Sequence, residues 1–270
     1  MNMRAVRAIV RKDLSVVLQS KAVLLPIIIV PVVMLLVLPI VASFAPQFVN
    51  IPGASDLGEM LERMPEAFQQ RFAHLDEAQT IVTLLLVYLF APMYLIVPLM
   101  VASVIAADAF AGEKERRTLE ALLFTPTTDR ELLLGKLLSG FVPAMAVAWG
   151  GFLVYAVVAN AAAWPTMGRV FFPTAMWWVL ALWVAPAVAA VGLGATVLVS
   201  ARVNTFQEAY QIGGVVVLPI VVLLLGQATG VLVFSTALVV LLGAVFWAAA
   251  GTLLYFGARR FSRSEILSRT

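Results

Sequence analysis

AYQIGGVVVLPIVVLLLGQATGVLVFSTALVVLLGAVFWAAAGTLLYFGA, residues 209–258, runs for 50 residues without a charged side chain. An apolar helix needs about 20 residues to cross roughly 30 Å of hydrocarbon. The run is therefore too long for one crossing and long enough for two. Gly226-Gln227-Ala228-Thr229-Gly230 supplies the turn between them. Four further runs, 22–55, 81–107, 137–168 and 170–201, are also free of charge, and each is long enough to cross. All 18 Lys and Arg and all 15 Asp and Glu lie in what remains. Insertion energetics demand that segregation, because a charge at a helix centre costs about 2.5–3.5 kcal/mol. The sequence thus predicts an all-α integral membrane protein with six transmembrane helices, at 23–44, 83–106, 137–161, 173–200, 209–226 and 231–257.

Six crossings put both ends on one side, and the basic residues say which. Arg4, Arg7, Arg11, Lys12 and Lys21 precede the first crossing. Lys114, Arg116, Arg117, Arg130 and Lys136 follow the second, Arg202 the fourth, and Arg259, Arg260, Arg263 and Arg269 the last. Only Arg63, Arg71 and Arg169 lie on the opposite side. By the positive-inside rule the N- and C-termini are cytoplasmic and the protein is a multi-pass component of the cell (inner) membrane. The pI of 9.4 follows from basic flanks facing anionic lipid and is no sign of nucleic-acid binding. The first apolar stretch is too long, and its basic leader too extended, for a cleaved signal peptide. Uncharged runs of this length also exclude the short alternating strands of a β-barrel.

Composition removes most chemistry. With no cysteine there is no thiol nucleophile, disulfide framework or iron–sulfur site, and His74, the single histidine, cannot build a zinc site. There is no phosphate-binding loop, since Gly135-Lys136 is followed by Leu137 and lacks the upstream glycine. No ionisable residue is expected within a span, where pumps and voltage sensors usually carry them. The chain is expected to hold no cofactor or metal and to catalyse nothing itself.

The loops carry the rest. Before the first span, Met3, Val6, Val10, Leu14 and Val17 recur at helical spacing, with Arg4, Arg7, Arg11, Lys12 and Asp13 on the other sides. This predicts an interfacial amphipathic helix lying in the headgroup region. The cytoplasmic loop 108–131 is the most distinctive segment. Glu113 with Arg117, and Arg116 with Glu120, stand four apart and would support a helix; Phe110, Leu119, Leu122 and Leu123 give it a partial apolar face. Thr125-Pro126 ends that helix, and Thr128-Asp129-Arg130-Glu131 reads as a capping box for the next. A second capping box, Thr205-Phe206-Gln207-Glu208, opens the fifth span. In the outer loop 45–80, Leu57, Leu61, Met64, Phe68, Phe72 and Leu75 predict an amphipathic helix that Pro65 bends.

Residues 112–126, GEKERRTLEALLFTP, resemble the cytoplasmic signature of ABC-2 type transporter permeases, nearest to the sodium-export-permease-like subgroup. Glu113, Glu115, Arg116, Thr118, Leu119, Glu120, Leu123 and Pro126 match that pattern, whereas Arg117 stands where many members carry glycine. Arg11-Lys12-Asp13-Leu14 resembles the family's opening before the first span. The resemblance implies a single transmembrane domain over residues 1–270, with residues 1–22 as its interfacial elbow helix. It implies the permease subunit of an ATP-binding-cassette exporter, paired with a second copy or a paralogous permease. A separate cytoplasmic ATPase subunit would bind ATP and Mg, and the matched residues would couple to it. Glu113, Glu115 and Arg116 are expected to be exposed, so that removing their charges uncouples rather than unfolds. The alternative is a non-transporting membrane scaffold or assembly factor that docks a cytoplasmic partner through loop 108–131. An uncharged interior points to an amphiphilic substrate, while the subgroup resemblance points to a cation.

Overall fold

The computed structural model describes residues 2–48, 66–118, 127–232 and 234–260. Among them, α1 spans Met3–Gln19 and six longer helices follow that are apolar and long enough to cross a membrane. These are α2 (Lys21–Gln47), α3 (Glu77–Glu115), α4 (Asp129–Ala162), α5 (Ala175–Ser200), α6 (Phe206–Ala228) and α7 (Thr236–Arg259). Helices α3 and α5 form the centre: 67% and 72% of their most apolar stretches are buried, against 17% for α2, α6 and α7. Helix α5 packs along α3 and α7, and α4 along α3 and α1. The outer helices keep Leu, Ile and Val exposed because lipid tails solvate such side chains as well as protein does. Association must then come from close approach. At Gly194 on α5 an added Cβ would lie 2.8 Å from Leu253 Cβ on α7, and at Gly192 it would lie 3.0 Å from the Leu99 carbonyl oxygen on α3.

Among the described residues a wide turn with i→i−5 hydrogen bonding lies near the cytoplasmic end of α3, at Asp108–Gly112, and three others each end shortly before a proline. They are Val33–Val37 before Pro39, Leu84–Leu89 before Pro92, and Leu180–Val184 before Pro186. Proline has no N–H and its ring crowds the preceding turn, so the ladder widens and leaves carbonyls without their usual donors. Inside a bilayer these must be satisfied by other groups. The Trp177 indole N–H on α5 donates to the Val87 carbonyl at 2.7 Å, and that of Trp149 on α4 donates to the Ala181 carbonyl at 2.9 Å. Val87 and Ala181 each stand five residues before the proline whose N–H is missing. The Tyr155 hydroxyl likewise donates to the Leu86 carbonyl at 2.6 Å, and its ring stacks on Trp177 with centroids 5.0 Å apart.

Several helix ends differ from those of the predicted spans. Helix α3 begins six residues earlier, at Glu77, because Asp76 and Gln79 form a reciprocal cap there. It also runs past the end of the uncharged run at Ala107 to Glu115. At 39 residues it is about 58 Å long, far more than a bilayer needs. Helix α4 starts at Asp129 rather than 137, on the expected Thr128–Glu131 capping box. Helix α7 starts at Thr236 rather than 231: Gly230 adopts φ 76 after α6, and Ser235 Oγ accepts the Leu238 N–H at 3.2 Å. In the outer loop the described part of the expected helix is only one turn, Glu66–Gln69, followed by turns that set Phe72 against Tyr88. Residues 57–64 of that expectation lie outside the described residues.

Candidate coupling site

The cytoplasmic extensions of α3 and α4 meet α1 around one buried lysine. Lys136, on the second turn of α4, is fully buried. Its Nζ donates to Glu113 Oε2 and to the Ala109 carbonyl, both at 2.5 Å, and lies 5.3 Å from the Phe110 ring centroid. Glu113 is itself only 4% exposed, and its other carboxylate oxygen accepts Lys12 from α1. Lys12 Nζ is also 3.0 Å from Asp13 Oδ1. Asp13 Oδ2 lies 3.1 Å from the Ser139 hydroxyl on α4, whose single proton is shared with the Lys136 carbonyl at 2.7 Å. Two cations and two carboxylates therefore neutralise one another at a three-helix junction, with Lys136, Glu113 and Asp13 buried and Lys12 at the part-exposed rim. Buried charges persist in that arrangement because each is paired and hydrogen-bonded. Burial alone would lower the Lys12 pKa, but the hydrogen bond to Glu113 and the nearby charge of Asp13 outweigh it, and the pKa is raised.

Close packing holds α1 in place. A Cβ on Gly135 would come within 2.9 Å of Ile9 Cγ2, so α1 lies directly on α4. Glu131, besides its capping-box bonds to Thr128, accepts the Asn2 N–H at the start of α1. The buried face of α1 is Val6, Ile9, Asp13 and Val17. It differs from the expected apolar face, since Met3 is 60% exposed and Asp13 points inward.

Past Glu113 the helix ends in a defined way. The Thr118 N–H bonds back to the Glu113 carbonyl at 2.9 Å and the Arg117 N–H to that of Lys114 at 3.1 Å, with Arg117 at φ 55. This is a Schellman cap, and the left-handed position is the one that favours glycine. The place where Arg117 departs from the family's glycine is therefore a place with a backbone reason for it. Arg116 does not reach forward: it turns back to Asp108 Oδ1 at 2.9 Å, and that hydrogen bond raises its pKa above the ordinary value.

The second cytoplasmic loop is fastened to the same helix end. Lys114 Nζ donates to the Val203 carbonyl at 3.0 Å, and Glu115 Oε2 accepts the Phe206 N–H at 2.9 Å. Thr205 Oγ1 accepts the Glu208 N–H at 3.2 Å as a helix cap, but Glu208 reaches back to Asn204 rather than to Thr205. Glu115, from another helix, supplies the cap to Phe206.

Of the expected coupling residues, Glu113 is buried and structural, which overturns the expectation that it is exposed. The separate charged helix expected after the second span is, as far as Glu115, the continuation of α3 itself. Glu115, Arg116 and Thr118 stand on its cytoplasmic tip, while Leu119, Glu120, Leu123 and Pro126 lie outside the described residues. Lys12 joins the junction; Arg4, Arg7 and Arg11 are exposed and turned away from it. Sequence reading missed Asp13, Asp108, Lys136 and Ser139. The signal for two of them is local: Lys136 interrupts Leu132-Leu133-Leu134-Gly135 and Leu137-Leu138, and Asp13 is the single acid in a basic segment. Among the described residues no cluster of His, Asp or Glu could hold a metal ion.

Six apolar helices with basic cytoplasmic flanks define a multi-pass α-helical protein of the cell membrane, and its built polar feature joins helices end to end. The chain belongs to the ABC-2 transporter family: the family model described as an ABC-2 family transporter protein matches residues 7–241, from within α1 to within α7. No curated protein sequence matches it. It is thus the permease subunit of an ABC transporter, the transmembrane component and not the ATPase.

Proposed function

We propose that this chain forms the translocation pathway of an exporter as a dimer, with itself or with a paralogous permease. Each permease rests on a separate ATPase subunit, which binds ATP and Mg. Residues 113–126 are the docking element: the matched residues Glu115, Thr118, Leu119, Glu120, Leu123 and Pro126 make the contact, Arg116 braces the tip through Asp108, and Glu113 anchors it from behind. The observation that carries this reading is the mechanical connectivity of the α3 tip. Glu113 ties it to α4 through Lys136 and to α1 through Lys12, and Glu115 ties it to α6 through Phe206. A push on the tip is therefore delivered to four helices at once.

The test is co-purification with a co-expressed candidate ABC ATPase subunit, followed by ATPase rates in reconstituted vesicles. Leu119→Asp with Glu120→Lys should leave membrane insertion intact and abolish association. Normal association and nucleotide-driven transport in that variant would refute the assignment of the docking element.

A further inference from the structure

Helix α1 has three faces, and the bundle uses only one. At about 100° per residue, Val6, Ile9, Asp13 and Val17 occupy the arc packed on α4. Beside it, Met3, Val10, Leu14 and Leu18 fall within about 80° of one another. Met3 is 60% and Leu18 68% exposed, so the protein leaves this apolar arc largely uncovered. Overlapping its far edge at Leu18, Arg4, Arg7 and Arg11 fall within about 60° and are all exposed. No acidic side chain among the described residues pairs with these arginines, because the one acid of α1, Asp13, is turned into the junction and 3% exposed. A single residue, Ser20, in extended conformation, separates α1 from the first membrane crossing. The apolar arc and the arginines therefore sit at the bilayer surface.

We infer that α1 is a selective binding surface for anionic lipid headgroups of the cytoplasmic leaflet. The apolar arc enters the acyl boundary, and the three guanidiniums extend from its edge to phosphates. Charge complementarity decides the occupant: three cations with no acidic partner among the described residues, next to exposed aliphatic side chains, match a lipid that is anionic at its head and apolar below. An acidic protein surface would satisfy the arginines and leave Met3 and Leu18 uncovered. The lipid site is wired to the junction, since Lys12 on the same helix binds Glu113.

The test needs no ATPase and so stands apart from the exporter reading. Ser15 is exposed one turn after Arg11, beside the arginine arc, and the chain has no cysteine, so Ser15→Cys accepts a single fluorophore on the full-length chain. The labelled protein is reconstituted in phosphatidylcholine vesicles containing matched fractions of acyl-brominated phosphatidylglycerol or acyl-brominated phosphatidylcholine. Brominated phosphatidylglycerol should quench in clear excess, reflecting enrichment of up to about fivefold per arginine. The excess should shrink with added salt in the unaltered helix and vanish in Arg4→Gln/Arg7→Gln/Arg11→Gln. The corresponding triple lysine variant should retain it. Equal quenching by the two lipids would overturn the inference and leave the arginines to an acidic protein partner. An excess that survives salt or the glutamine substitutions would overturn it equally.

Discussion

Replacing Glu113 by glutamine keeps the shape of the side chain and removes the one carboxylate shared by Lys136 and Lys12. Lys136 is fully buried, so its ammonium would be left with the Ala109 carbonyl and the face of Phe110. Breaking a buried pair from one side costs about 3–5 kcal/mol, or roughly two to three and a half decades in the folding equilibrium. Lys136→Met should cost less, about 1–3 kcal/mol, because Glu113 still holds Lys12. The double variant should be no less stable than Glu113→Gln alone, a coupling of about 2 kcal/mol. The assay is equilibrium unfolding of the purified chain in mixed micelles, followed by far-ultraviolet circular dichroism and carried out without any ATPase. Additive single effects, or a cost for Glu113→Gln below about 1 kcal/mol as for an exposed pair, would refute the junction as an electrostatic unit.

Arg117→Gly should stabilise the chain by about 1 kcal/mol in the same assay, since Arg117 sits at φ 55; Arg117→Ala should not. Trp177→Phe should cost about 1–3 kcal/mol by leaving the Val87 carbonyl without a donor, with faster amide exchange around residues 84–92 as the local signature. Lys12 has a pKa raised above its ordinary 10.5 by Glu113 and Asp13. Its contribution to stability should therefore be fully present below that value and be lost as the pH rises through the raised one. A Lys12→Met variant should accordingly show a smaller loss of stability in that alkaline range than the unaltered chain.

The crossings were legible because excluding charge from hydrocarbon is a local cost that each residue meets alone. Their ends were less so. Asp108 and Glu113 belong to α3 because Arg116, Lys136 and Lys12 neutralise them, and Lys136 and Lys12 come from distant parts of the chain. The capping box at Thr128 and the helix cap at Thr205 were readable because the partners are three residues apart, although at Thr205 the return bond from Glu208 goes to Asn204 instead. The orientation of α1 was legible only in part: Val6 and Val17 of the expected apolar face are packed, whereas Met3 is exposed and the packed sector is centred near Asp13. In the coupling region the matched residues marked the tip of α3 by type alone. The division between anchor and exposed surface depends on burial, which places Glu113 with Lys136 and leaves Glu115 outside.

The indole bonds give the bends of this bundle a definite order. Straightening or sharpening α3 at residues 84–89 shifts the Val87 carbonyl and must carry or release Trp177 of α5; the same change in α5 at 180–184 must carry or release Trp149 of α4. Neither hinge is free to swing alone. A change in α3 at this turn is handed to α5 through Trp177 and to α4 through Tyr155, and a change in α5 reaches α4 again through Trp149, so the three bends close into one loop of latches.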